Sequence, residues 1–202
     1  MTATATARPP VTRAPPQADD RALARRLAQR EEAAFDELVE QYQLRVARLA
    51  QRLLGWRENV DDVVQEVFVA ALTGAKRFRG ESGIWTWLAR ITINRCRTLQ
   101  RRERVRTAFW QLLARRGSPL YDHRDAQHAV IGDETAAQVR QAVHELPQND
   151  REVIVLRYFE ELTVEQISGV LSISRGATNT RLSRARAKLA AKLKGLNEDG
   201  PT

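Results

Sequence analysis

From residue 21 onward the apolar residues of this chain recur at helical spacing. Phe35, Leu38, Val39, Tyr42, Val46, Leu49 and Leu53 return every three or four positions, which predicts one long amphipathic helix ended by Gly55. Val60, Val63, Val64, Val67, Phe68, Ala71 and Leu72 repeat that spacing as far as Gly74. After the glycine-containing loop 79–83, Ile84, Trp87, Leu88 and Ile91 predict a third helix to about Arg104. Three helices with short connections make a small bundle over 21–104. The periodicity lapses over 105–132, where Gly117, Ser118 and Pro119 read as a linker, with room for a short helix near 108–114. It returns from Asp133 through Val139, Val143 and Leu146 and is stopped by Pro147. Asn149 or Asp150 is placed to cap a helix over 151–160, and Thr163 with Gln166 fits a capping box. That short helix breaks near Leu171–Ile173, and Ser174 caps a last one reaching about Lys194.

No alternating strand pattern and no repeat accompanies these helices. The expected fold class is therefore all-α, with two small helical domains joined by a flexible linker. The C-terminal domain, 133–196, contains a helix-turn-helix. Residues 1–20, with Pro9, Pro10, Pro15 and Pro16 among Ala and Thr, are expected to be a disordered tail.

Composition narrows the chemistry. With Cys96 alone, neither an intramolecular disulfide nor a multi-cysteine zinc site can form. No run approaches the ~18 apolar residues that a membrane span needs. The first residues lack the charged-then-apolar layout of a secretion signal, so a cytoplasmic setting is expected. The net charge is +8, carried by 29 arginines and 4 lysines. It is concentrated: residues 76–106 hold ten cations against Glu81 and Glu103, and residues 174–194 hold seven cations and no acid. The helix preceding the first basic segment carries Asp61, Asp62 and Glu66. A solvated surface mixes its signs, whereas two basic segments, one per domain, suit a polyanion touched at two places.

Three constellations could carry function. In 163–194, a capped short helix, a turn and a basic helix follow the layout whose second helix enters a major groove. With Leu182 inward, Thr178, Ala185, Leu189 and Leu193 share its face at about 100° per residue. Ala177, Thr180, Ser183, Arg184 and Lys188 then face outward, flanked by Asn179 and Arg181, as hydroxyls, an amide and cations that can read base edges. The bland alternative is a solvated arginine-rich helix. In 76–104, Trp85 and Trp87 stand beside loop 79–83 and the arginines, a combination suited to stacking on unpaired bases. Trp87 aligns with the core series, so Trp85 is the candidate for base contact, and Asn94 can bond a base edge. Third, Asp62, Gln65 and Glu66 share a helix face opposite the valines, a pattern that is usually plain solvated surface. His123, His128 and His144 lack metal-ligand spacing, and Cys96 reads as a small buried residue, so no catalytic group and no cofactor is implied. A helix-turn-helix regulator that binds duplex DNA and an RNA-binding protein both remain compatible with the residues alone.

From about Ala33 to Leu193 the chain resembles bacterial sigma factors of the extracytoplasmic-function (ECF) group. The resemblance rests on Asp62-Val63-Val64-Gln65-Glu66-Val67-Phe68, on Phe78-Arg79-Gly80-Glu81-Ser82, and on Trp87-Leu88-Ala89-Arg90-Ile91 with Asn94. In the C-terminal part it rests on Leu146-Pro147, Arg151-Glu152-Val153, Leu156-Arg157 and Arg181-Leu182-Ser183-Arg184-Ala185-Arg186. It implies a non-enzymatic promoter-specificity subunit whose partners are core RNA polymerase, promoter DNA and an anti-sigma factor, the last able to hold it at the inner membrane face. The first domain would bind and open the minus-ten element through Arg79, Glu81, Ser82, Trp85, Asn94, Arg97, Thr98 and Arg101. Asp62, Gln65 and Glu66 would dock on the polymerase, and Arg175, Asn179, Thr180, Arg181, Ser183, Arg184 and Lys188 would read the minus-thirty-five element.

The chain also departs from the family pattern. Thr98 stands for a common aspartate, Glu161-Leu162-Thr163 for Gly-Leu-Ser, and Ser172 for glycine. Arg175-Gly176-Ala177-Thr178-Asn179-Thr180 replaces Val-Gly-Thr-Val-Lys-Ser. Thr178 in place of a buried valine is expected to loosen the helix-turn-helix, and Asn179 in place of a cation to alter the minus-thirty-five preference.

Overall fold

The computed structural model describes residues 17–55, 59–78, 82–114 and 134–198, and the regular elements among them are all helical. In chain order the α-helices are α1 Gln17–Ala28, α2 Glu32–Leu54, α3 Val60–Gly74, α4 Ile84–Ala114, α5 Glu134–His144, α6 Gln148–Ile154, α7 Val164–Leu171 and α8 Arg175–Glu198.

In the first module the stripe Leu38, Tyr42, Val46, Leu49 and Leu53 of α2 is buried against α3 and α4. Each such side chain removed from water contributes about 1.5–3 kcal/mol before entropy is counted. The helix stops at Gly55, whose φ of 77° is open to glycine and whose N–H returns to the Gln51 carbonyl at 2.8 Å. A Cβ at Gly55 would lie 2.5 Å from His144 Nε2, so the same glycine admits the second module.

Three boundaries differ from the periodicity. First, α1 begins at Gln17, inside the expected tail, and buries Asp20, Leu23, Ala24 and Leu27. The rest of that tail, 1–16, lies outside the described residues. Second, α1 and α2 are separate helices, broken at Arg30 with φ 61°. The Arg26 guanidinium bridges Glu31 at 2.9 Å and Glu37 at 2.6 Å across that break. Third, α4 runs on to Ala114, so 105–114 of the expected linker is helix; residues 115–133 lie outside the described residues.

In the second module Pro147 occupies the N-cap position of α6, and neither Asn149 nor Asp150 caps it through a side chain. Asp150 instead accepts from Lys188 Nζ at 2.6 Å, tying α6 to α8. After Ile154 the helix widens into a π turn over Val155–Phe159, which carries the chain to Glu160. The capping box is present: Gln166 N–H donates to Thr163 Oγ1 at 3.2 Å, and Thr163 N–H donates to Gln166 Oε1 at 2.8 Å.

The two modules pack on one another through a continuous core. Two buried carboxylates from the second module stitch the boundary. Glu160 receives Arg45 Nε at 3.2 Å and Arg52 Nη1 at 2.7 Å, and Glu152 receives Arg97 through both oxygens at 2.9 and 2.6 Å. The Leu53 carbonyl, exposed as α2 ends, accepts from Gln100 Nε2 at 3.1 Å and Arg151 Nη1 at 3.0 Å.

Candidate nucleic-acid interface

The helix-turn-helix is built from α7, the turn 172–174 and α8. Ile173 N–H returns to the Ser168 carbonyl at 3.1 Å, and Ser174 Oγ accepts from Ala177 N–H at 3.1 Å, so each helix end at the turn has one of its orphan groups capped. The inward face of α8 is the predicted one. Thr178, Leu182 and Ala185 are buried and Leu189 is half-buried, while Asn179, Thr180, Ser183 and Arg184 stand in solvent. Arg175 is exposed and faces Glu165 at 3.4 Å, and Arg181 is half-buried. Lys188 is already engaged within the module by Asp150. Thr178 is fully buried where the family pattern has valine. Its hydroxyl donates to the Ser174 carbonyl at 3.0 Å and lies 2.9 Å from Ser168 Oγ, so the buried polar group is paired across the two helices.

On α4 the face is rotated. Ile84, Trp85, Leu88, Ala89, Thr92, Ile93 and Cys96 are buried, and Trp87 and Ile91 only partly so. The buried arc is centred about 100° from the series Ile84-Trp87-Leu88-Ile91, one residue's rotation. Trp85 is therefore not a base-contacting residue in this fold. It is 2% exposed, stacked parallel to Tyr42 at 6.3 Å and covered by the Arg45 guanidinium at 4.0 Å. Small and hydroxyl-bearing neighbours explain the rotation: Ala89 and Cys96 fill tight space, and Thr92 satisfies its hydroxyl on the Leu88 carbonyl at 2.8 Å. Burial pushes the Cys96 thiol up to about 12, which removes it as a nucleophile. Trp87 is half-buried and stacks on Phe78 at 4.8 Å.

Of the remaining candidates on this helix, Ser82, Asn94 and Arg101 are exposed and Thr98 is half-buried. Arg97 is held by Glu152, and Arg79 and Glu81 lie outside the described residues. On α3, Asp62, Gln65 and Glu66 are exposed, with Glu66 3.4 Å from Arg95. The same face continues to Val69, 62% exposed, which the apolar periodicity left out, and to Leu72, 41% exposed, which it had counted with the core. Their spacing from Gln65 and Glu66 placed them there all along.

Residues 38–106 match the family description Sigma-70 region 2, and residues 136–189 match Sigma-70, region 4. The chain is 32% identical to the ECF RNA polymerase sigma-E factor of Haemophilus influenzae, across 89% of this chain and 98% of that protein. It is 31% identical to the RNA polymerase sigma-H factor of Pseudomonas aeruginosa, across 89% and 96%. The chain belongs to the ECF RNA polymerase sigma factors. A solved relative, CnrH in complex with the cytosolic domain of CnrY, superposes with TM-score 0.65 at 31% identity, covering 87% of this chain and 97% of that one. The sigma factor RpoE of Bartonella quintana, solved with the anti-sigma factor NepR, shares the fold at TM-score 0.59 and 21% identity, over 79% and 96% of the two chains.

Two departures of this sigma factor from the family pattern acquire a physical meaning. Glu161 and Ser172, which stand where that pattern has glycine, hold φ of 55° and 56°. The left-handed region costs an L-residue about 1–2 kcal/mol relative to glycine. Glu161→Gly and Ser172→Gly are each expected to stabilise the sigma factor by about 0.5–1 kcal/mol in urea unfolding, glycine's extra unfolded-state freedom cancelling the rest. A loss of stability in both would remove this account.

Proposed function

We infer that this chain binds core RNA polymerase and directs promoter-specific initiation, the first module engaging and melting the minus-ten element and the second reading the minus-thirty-five element. The observation that carries the reading is the two-sided α8. A buried Thr178-Leu182-Ala185 face seats the helix, and Asn179, Thr180, Ser183 and Arg184 project from the opposite side. In the first module, Ser82, Asn94, Thr98 and Arg101 offer hydroxyls, an amide and a cation to an unpaired strand, with Arg79 and Glu81 of the preceding loop and Arg97 completing the set. Asp62, Gln65 and Glu66 form the polymerase face. Arg175, Arg181 and Lys188 border the minus-thirty-five surface, Lys188 by leaving Asp150 for a phosphate.

The protein adds specificity and melting to the polymerase's chemistry and is not itself an enzyme. Among the described residues no helix is long and apolar enough to cross a membrane. A cytoplasmic protein whose free pool is set by an anti-sigma factor fits this, and the two solved relatives carrying partner proteins support such a partner.

Reconstitution tests the reading. The chain mixed with core polymerase is expected to co-elute and to give run-off transcripts from specific genomic fragments. Tight operator binding without core association would favour a polymerase-independent regulator instead. In the same assay Arg184→Ala should weaken binding to the minus-thirty-five duplex by about 1–3 kcal/mol. Asn179→Lys should shift the preferred sequence there, and unchanged behaviour of both variants would overturn the face assignment.

A further inference from the structure

The first turn of α4 carries amide groups that no residue of the helix can satisfy, and the position before it is Gly83, which has no side chain with which to cap. The missing cap comes from elsewhere in the chain. Asp20 of α1, 7% exposed, accepts the Ile84 N–H on Oδ2 at 2.8 Å and the Tyr42 hydroxyl on Oδ1 at 3.3 Å. A Cβ on Gly83 would lie 2.9 Å from that same Oδ2, so glycine at 83 is what lets the carboxylate approach. A carboxylate is also the favourable charge at a helix N-terminus. Burial, followed by the neighbouring Asp20, pushes the Tyr42 phenol above its ordinary range and keeps it a donor. Tyr42 in turn stacks on Trp85 in the first turn of α4, so the aspartate holds that turn at its backbone and, through Tyr42, at its side chain.

The capped amide lies two residues after Ser82, at the point where the loop 79–83 joins the basic helix. We propose that Asp20 is a positioning residue for minus-ten recognition: from the N-terminal helix it fixes the exit of that loop and the direction in which α4 begins. The inference rests on the minus-ten reading above. Asp20 touches no DNA itself; it sets where Ser82 stands relative to Asn94 and Thr98. Its role differs from that of the core around it because the carboxylate secures a single helix end, and the buried stripe of α2 carries the bundle.

The test uses holoenzyme reconstituted with core polymerase. The probe is a single-stranded oligonucleotide bearing the minus-ten sequence of a promoter at which the wild-type holoenzyme initiates, together with its single-base variants. The quantity read is the ratio of affinities for the parent and the substituted strands, which does not depend on how much of the protein is active. Asp20→Ala is expected to compress that ratio by about fivefold, as loss of a helix cap would. Asp20→Asn, which keeps an acceptor oxygen, is expected to recover most of it. Gly83→Ala, which displaces the carboxylate from a chain that keeps Asp20, should compress the ratio in the same way. Core assembly and binding to the minus-thirty-five duplex should stay unchanged in all three.

An unaltered ratio in Asp20→Ala or Gly83→Ala overturns the proposal. So does an equal loss on parent and substituted strands, or a matching loss on the minus-thirty-five duplex, either of which marks a merely structural residue. If the wild-type chain neither assembles with core nor selects any strand, it is the sigma-factor reading that fails.

Discussion

Replacing Glu160 by alanine is expected to destabilise the closed arrangement of the two modules by about 3–5 kcal/mol, the usual cost of removing one side of a buried ion pair. Glu160 is 2% exposed at its side chain and is gripped by both Arg45 and Arg52, which are 22% and 34% exposed. Without it, two guanidiniums of α2 are left side by side at the boundary, Arg45 keeping the Glu160 carbonyl at 3.5 Å and the Trp85 ring, and Arg52 the Phe159 ring. Separation of the modules relieves this by returning both cations to water, so the lower half of the range is expected. The same opening frees Arg97, whose fork is filled by Glu152 while the modules are closed. Three results should follow together. The urea midpoint falls, the radius of gyration in small-angle scattering rises, and affinity for a minus-ten single strand increases. Glu160→Gln, which keeps an acceptor and loses the charge, should fall between. An unchanged radius of gyration and midpoint in Glu160→Ala would show that the apolar contacts alone hold the modules.

That boundary was the part of the molecule least legible in the sequence. Glu152 and Glu160 are separated from their arginines by 55 and 108–115 positions, and no local spacing pairs them. By contrast, the inward face of α8 was legible, although Lys188, expected outward, pairs with Asp150 and Arg181 is half-buried. There a strict apolar repeat opposes polar residues, and the helix has one side to bury. On α4 the same logic misplaced Trp85, because the helix is buried on more than one side. The residues that define its true inward arc, Ala89, Thr92 and Cys96, are too small or too polar to announce it. The break at Arg30 carries neither glycine nor proline and is sustained by Arg26 with Glu31 and Glu37, a tertiary cause. Leu72 was counted with the core as the last member of the apolar repeat of α3. Its exposure on the Gln65 face follows from helical angle, which the apolar count had not weighed.

The polymerase face gives the sharpest separation of binding from folding. Gln65→Ala combined with Glu66→Ala is expected to weaken association with core polymerase by at least about 2 kcal/mol, roughly thirtyfold, if these residues sit at the centre of the contact. Both side chains are exposed, and the one internal contact of the pair among those described is Glu66 with Arg95 at 3.4 Å. An exposed pair of that kind contributes about 0–1 kcal/mol, so thermal unfolding should move little. Alanine also favours helix, which offsets part of the loss within α3. The minus-thirty-five surface lies on another module, so duplex binding by the free chain should not change. The measurement is competition for core polymerase between labelled wild-type and unlabelled variant chains, with duplex binding and the unfolding midpoint recorded on the same preparations. Core affinity within twofold of wild type would remove Gln65 and Glu66 from the interface. A parallel fall in duplex binding would mean instead that the fold had been damaged. The expected pattern, core affinity lost with duplex binding and folding intact, follows from a face whose polar side chains the fold itself hardly uses.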